Sequence, residues 1–523
     1  MKKTATALLI SILVLSAGCS EFLDVNTNPN GPQSVSANLY LPPMLHWMVT
    51  SPQFDGRFVG HYTQEWYSTS TAGTPGPTWG KMGYDAGSDN GAQQWRDVYW
   101  SLGQNLIDMN TKAQAEQRWD LLGVGMLLKA WGWQVLTDLH GEIIVKEAID
   151  QSRTRFDYDT QDYAYQEVQR LLDSAIVLLK RTDGAVDRTY LALGDKIYNG
   201  ERTQWLKLAY GMLALNLNHY SNKTSSYNAA RVIRLVDSSF ANNADDPLLA
   251  YPCSSTDFAD CNFWGRTRNN ITLYRQTRFI VGLMDGTQFG GTVDPRMSRM
   301  LAIDSANTTY RGVDINVSGF GALAALQQPK NFFGYTGTGG LGLPSRYIFA
   351  DRSKLPVMTY SELQFIKAEA ALRMGDQVTA LAAYTNGIRS HFQFVNDRST
   401  EAGNPASITT ATRDSFLASP NIVPATLTRS HIMSQKFIAL WGWGHNEIWM
   451  DMRRYHYTDT DSATQVFRGF TPPSPLFSDN VGQVVQRIRP RYNSEYVWNR
   501  DALNAIGGLD AGYHTKPLWI IQP

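Results

Sequence analysis

Acid–base chemistry needs a histidine or carboxylate held against a partner, and these 523 residues offer nine His and 47 acidic side chains. Their spacing assembles no catalytic apparatus. His445 stands two residues before Glu447 in "GHNEIW", but no second histidine follows at helical spacing, so this is not a two-histidine zinc helix. Glu362 and Glu369 lie two helical turns apart; glycoside hydrolysis needs two carboxyls facing a shared cleft, and charge on a solvated helix is the simpler reading. There is no G-x-S-x-G elbow, H-E-x-x-H pair or G-x-x-x-x-G-K-[ST] loop, and no glycine fingerprint placed between strand and helix. Nothing here calls for an enzyme, a metal or a cofactor.

The aromatic residues suggest different chemistry. Three long, glycine-punctuated segments, 68–91, 252–299 and 319–351, carry rings and amides together. Loops of this length are uncommon unless they bind something or are disordered, and disordered chain rarely holds so many aromatics. A sugar has an apolar C–H face and a hydroxyl rim; a flat ring buries the face while amides, carboxylates or guanidinium groups bond the rim. A peptide could be held by the same equipment. The candidate rings are Trp66, Tyr67, Trp79, Tyr84, Trp264, Tyr274 and Tyr335, with Arg266, Asn269, Asn270 and Asp89 as polar partners. For any one of the 61 aromatics, packing against its own loop is the competing role.

The elements that must position these loops read as helices. Trp119–Leu139 has apolar residues throughout, with Gly123, Gly125 and Ala130 among bulky ones. Asp162–Lys180 is amphipathic, with Tyr165, Val168, Leu171, Leu172, Ala175, Ile176 and Leu179 in one stripe. Thr203–Tyr220, Tyr227–Phe240, Tyr360–Met374, Thr410–Leu417 and Arg429–Gly444 are also predicted helical, and strand-like alternation is scarce. In "AEAALRMGDQVTALAAYTNGI" the order Ala368, Gly375, Ala380, Tyr384, Gly387 follows tetratricopeptide (TPR) spacing, in which small residues let two antiparallel helices approach closely. Gln364 and Ala371 replace that pattern's usual Trp and Tyr, and the helices near 119–180 and 203–240 read as degenerate copies.

At the N-terminus, Lys2 and Lys3 precede the apolar run Leu8–Leu15, too short to cross a bilayer. The run ends at Leu15-Ser16-Ala17-Gly18-Cys19, which resembles the lipobox of bacterial lipoproteins. Residues 1–18 then form a signal peptide, Cys19 becomes the lipidated N-terminus, and 19–36 are a tether to a domain spanning 37–523. "DVNTNPNG" in that tether fails as a calcium loop, because Pro29 takes the place of the required Gly and Val35 that of the Glu. Cys253 and Cys261 remain; an oxidising compartment favours a local disulfide, with two buried thiols as the alternative. Balanced charge, 47 basic against 47 acidic residues, argues against nucleic acid.

Seven blocks in order resemble the SusD/RagB family of Bacteroidetes outer-membrane lipoproteins: "CSEFLDVNTNPN", "AWGWQVLTDLHGEI", "DKIYNGERTQWLKLAYGMLALNL", "DPRMSRML", "LPVMTYSELQFIKAEAALRMGD", "HIMSQKFIALWGWGHNEIWMDMRRYHY" and "RIRPRYNSEYVWN…TKPLWI". That resemblance implies a mainly α, single SusD-like domain of four TPR-like helix pairs carrying irregular loops. It also implies a lipid-anchored protein exposed at the outer-membrane surface, a lid over a SusC-like TonB-dependent transporter that captures an oligosaccharide, or in some members a peptide, without catalysis. Glu369, Gln435, Trp449, Asp451, Arg453 and Arg454 fall in these blocks and read as structural: Arg453 or Arg454 can bridge Glu447 or Asp451, and Trp449 can fill the core. A TPR-like interaction module with no soluble ligand, and more remotely a hydrolase, are the competing functions. If Trp79 and Trp264 stack on ligand, Trp→Ala at either weakens binding by about 1–3 kcal/mol with little change in Tm; calorimetry beside thermal melting checks this, and equal losses mark both as core.

Overall fold

The computed structural model describes residues 35–70, 77–254, 258–316, 319–334, 346–404 and 406–523. Its longer helices are Leu41–Tyr62 (α1), Gly103–Ala115 (α2), Trp119–His140 (α3), Gln161–Lys180 (α4), Arg202–His219 (α5), Ala229–Asp237 (α6), Tyr360–Arg373 (α7), Gln377–Glu401 (α8), Arg429–Leu440 (α9) and His445–Arg454 (α10). Among the described residues the strands form three two-stranded ribbons. One pairs Trp66–Ser68 (β1) antiparallel with Tyr274–Gln276 (β2). No helix among the described residues is long and apolar enough to cross a membrane.

The small residues do what their spacing implied. A Cβ on Gly123 would lie 2.7 Å from Leu179 Cγ, so glycine there sets the approach of α4 to α3. In the α7–α8 pair a Cβ on Gly387 would press on the Phe365 ring at 2.9–3.1 Å. Gly375 makes the turn at φ +79°, a conformation that favours glycine. Thr359 opens α7 with a capping box to Glu362, and Asp376 caps α8 through the Thr379 N–H. Ala368, Ala380 and Tyr384 are fully buried at the joint. The helix expected over 429–444 stops at Leu440; Gly442 turns the chain at φ +90°, and a separate helix, α10, starts at His445. Tyr227–Phe240 shortens to α6, because Asn228 caps it by accepting from the Arg231 N–H.

Two large apolar clusters meet at α7. Leu363, Ile366 and Ala370 face the cluster built by the start of α1 and α2 to α6; Phe365, Ala368 and Ala371 face the one built by the rest of α1, α8, α9, α10 and the loops. Cys253 and Cys261 are joined by a disulfide in the loop segment.

A chain of buried ions crosses the same wall. His219 of α5 bonds Glu447 of α10 at 2.8 Å and reaches Asp138 of α3 through the Tyr165 hydroxyl. Lys436 of α9 bridges Glu447 at 2.6 Å and Asp451 at 2.7 Å. Arg454 holds Asp451 and grips Glu369 of α7 with both nitrogens, at 2.8 and 2.9 Å. Arg373 also pairs with Glu369, so His219, Lys436, Arg454 and Arg373 balance Asp138, Glu447, Asp451 and Glu369. Trp449 is fully buried under the Arg453 guanidinium, 3.8 Å from its ring.

Burial alone would lower the His219 pKa, but Glu447 and Asp138 raise it from 6.5 to about 9. A raised folded-state pKa means its stabilisation is complete below pH 6.5 and is lost as pH rises through about 9. Burial also raises Glu362, favouring its neutral form and adding a slope of the same sign from lower pH. Urea unfolding across this window is expected to lose on the order of 3 kcal/mol in the native protein through His219, and His219→Gln is expected to flatten the curve. An unchanged slope in His219→Gln would show that the imidazole is not charged.

Candidate functional site

The first glycine-rich segment folds onto the C-terminal chain and leaves a cleft of about 170 Å³. Its floor is Trp79, 1% exposed, stacked on Tyr62 with ring centres 5.2 Å apart and tilted against Phe58. The Trp79 indole N–H donates to Asp85 Oδ2 at 2.9 Å, and Asn90 donates to the same oxygen at 2.7 Å. Gly91, at φ +78°, passes so close that a Cβ would sit 2.8 Å from Trp79 Cη2. The loop is shaped around its own tryptophan.

Tyr84 forms one wall. Its hydroxyl donates to Asp479 Oδ2 at 2.8 Å, and the Arg489 guanidinium lies 4.3 Å over its ring. Arg489 donates to the Tyr496 hydroxyl at 3.0 Å and to the carbonyls of Gly508 and Asp510. Its Nε is buried without an acceptor. Opposite, Tyr492 and Tyr496 stack on each other at 5.5 Å, held by the single π-helical turn 492–496. At the rim, Asp89 accepts from the backbone N–H and side chain of Asn493 and pairs with Arg491 at 2.6 Å. Burial and the Arg489 charge push His514, at the edge of Tyr84, down to about 4, so it stands neutral.

This arrangement can take a flat, hydroxyl-bearing ligand. It offers partly exposed aromatic rings, amide and guanidinium donors, and carboxylate acceptors. Asp85 Oδ2 already accepts two N–H donors, and its Oδ1 has no protein donor among the described residues and can accept a ligand hydroxyl.

The other candidates lie elsewhere. Trp66 is buried with its N–H on the Gly56 carbonyl, Trp264 with its N–H on Gln53 at 2.6 Å, and Tyr274 against Trp66 edge to face. These three rings form one interior cluster with His445. Tyr67 points from the opposite face of β1 and is half-buried, with its hydroxyl against Gly319. Asn270 donates to the Phe263 carbonyl and Asn269, exposed, accepts from Thr272, so both fasten their own turn. Arg266 is partly exposed nearby. Cys19 and Tyr335 lie outside the described residues. Thus Trp79, Tyr84 and Asp89 come together, while Trp66, Trp264 and Tyr274 pack in the core. Arg489, Tyr492 and Tyr496, which complete the cleft, were missed as site residues. Their signal was a pair of tyrosines four apart in "RIRPRYNSEYVWN", one helical turn on a single face.

A helical scaffold carrying ring-bearing loops is a fold shared with known proteins. Residues 29–468 match the SusD-like family described as "Starch-binding associating with outer membrane". The chain belongs to this SusD-like family. Among solved structures, a SusD/RagB family protein from Bacteroides thetaiotaomicron is 20% identical, with a TM-score of 0.69 over 93% of this chain and 99% of that one. A SusD homologue from Bacteroides fragilis is 17% identical (TM-score 0.71, 93% and 100% covered). A chitin-binding SusD homologue from Flavobacterium johnsoniae is 18% identical (TM-score 0.68, 92% and 98% covered). No curated protein sequence matches the chain.

Burial reverses the expectation for the tryptophans. Trp79→Ala and Trp264→Ala are now expected to cost about 3–5 kcal/mol of stability, read as a large fall in Tm. Tyr492→Ala, half-exposed, is expected to leave Tm nearly unchanged and weaken ligand binding about tenfold. A Tyr492→Ala protein that binds as tightly as the parent would remove this cleft from consideration.

Proposed function

We propose that this protein is a non-catalytic nutrient-capture lipoprotein, anchored through Cys19 at the outer-membrane surface, which binds an oligosaccharide and passes it to a SusC-like TonB-dependent transporter as that barrel's lid. The cleft between Tyr84 and the Tyr492–Tyr496 pair is the observation that carries the ligand class. Partly exposed rings face it, beside hydrogen-bonding groups already fixed by the fold. Such groups lose little conformational freedom when a sugar docks. Both the family's starch-binding description and the chitin-binding relative are consistent with a glucose-type ring as the unit recognised.

Membership of the SusD-like family supports a transporter partner, and the small residues before Cys19 support the anchor.

Calorimetry with malto- and chito-oligosaccharides, alongside peptides of mixed composition, tests the ligand. Saturable heat with at least one glycan series is expected, with none from peptides. Solubilised outer membranes are expected to yield a TonB-dependent barrel bound to this chain. Peptide binding alone would replace the glycan. A stable barrel complex with no ligand of either kind would make the chain an interaction module, and released reducing sugar would make it a hydrolase.

A further inference from the structure

A second cavity, of about 290 Å³, opens between α2 and α3, away from the cleft residues. Its volume is just below the usual range for small-molecule sites, which suits a small ligand. Leu106 of α2, Met126 of α3 and Ile149 supply apolar walls, and Gly103 and Gly132 let Ile149 and Val98 pack closely beside it. Two polar groups in this wall have no partner. Trp133 is 2% exposed and its indole N–H is buried without an acceptor. Lys129, one helical turn away, makes no hydrogen bond or ion pair among the described residues. The carboxylate within its field, Glu167 of α4, is already gripped by Arg170 through both oxygens at 2.7 Å. Asn110 also lines the cavity and its Oδ1 is buried without a donor, but that atom is an acceptor and so is not a group that a carboxylate would meet.

A buried donor such as the Trp133 N–H costs about 1–3 kcal/mol without a partner, and the partly buried Lys129 ammonium, beside an apolar wall, gains from a counter-charge. Burial lowers the Lys129 pKa accordingly. Water can accept from either donor, but an anion accepts from both and also supplies the counter-charge that the ammonium lacks. We propose that this cavity binds a small monocarboxylate with an apolar body. Its carboxylate would sit against Lys129 and the Trp133 N–H, and its hydrocarbon among Leu106, Met126 and Ile149. The site is separate from the glycan cleft and does not depend on it.

The probes are hexanoate and phenylacetate, with hexanol and phenylethanol as neutral matches, titrated into the whole protein. Calorimetry gives affinity. Indole N–H resonances of ¹⁵N-tryptophan-labelled protein report the site, with Trp133 assigned by its absence in Trp133→Phe. The carboxylates are expected to bind and shift the Trp133 resonance. The alcohols, and the carboxylates on Lys129→Gln, are expected to bind about tenfold more weakly, the scale of one charge-assisted hydrogen bond. No heat and no shift with the native protein would mean that the cavity holds water only. Equal affinity for acid and alcohol would make it an apolar pocket with no anion role. Heat without movement of the Trp133 signal would place the acid elsewhere. Each of these three results overturns the proposal, and all are read on native protein, whatever the variants' folding.

Discussion

Seven buried charges around α7, with the partly exposed Arg373 beside them, set the terms for the rest of the molecule. An ion taken out of water is tolerable only if an opposite charge meets it at bonding distance, and removing one partner of such a pair leaves the other stranded. The chain from Asp138 through His219, Glu447, Lys436, Asp451 and Arg454 to Glu369 therefore admits little sliding of α3, α5, α7, α9 and α10 past one another. Apolar packing alone is less selective, because a leucine can find many leucines. The ions choose one register, and small residues such as Gly123 and Gly387 let the helices reach it.

The cleft hangs from this frame. Asp138 enters the ion chain through its carboxylate, and its backbone carbonyl accepts from Arg453 at 2.7 Å. The same Arg453 nitrogen holds the Gln486 carbonyl, three residues before Arg489. Arg487, next along, binds Glu142 and the carbonyls of Lys516 and Pro517. The C-terminal chain is thus fastened at 486 and 487 before it presents Arg489, Tyr492 and Tyr496. The other wall arrives from the far end of the sequence, where Asp89 meets Asn493 and Arg491, and Tyr84 meets Asp479. A ligand would find these groups already placed, which lowers the entropy lost on binding.

The helices were legible because periodicity is local. Trp119–Leu139 and Asp162–Lys180 stand within a residue of α3 and α4, and Thr410–Leu417 is helical over those same residues. The loop rings were not legible in the same way. Trp66 and Tyr67 are neighbours of similar chemistry, yet one is core and the other half-exposed, because pairing with β2 turns alternate side chains to opposite faces. Trp264 could have lain on a surface but for Gln53, 211 positions earlier, which accepts its N–H. The break between α9 and α10 rests on Gly442, which reads in the sequence as one glycine of several.

Local pattern by itself determined that this is a helical protein with closely packed pairs, ring-bearing loops and no assembled catalytic motif. Helix stripes, small-residue spacing and loop chemistry each depend on residues within a few turns of one another. Only the tertiary structure decided which rings face solvent and which carry load. It drew Tyr84 and Asp89 to Arg489, Tyr492 and Asn493 across some four hundred residues of chain. It also left Lys129 and Trp133 without partners in a wall that sequence reads only as helix. The physical reason is the same in each case: burial and pairing are properties of the packed whole, and a side chain's type says only what partner it needs.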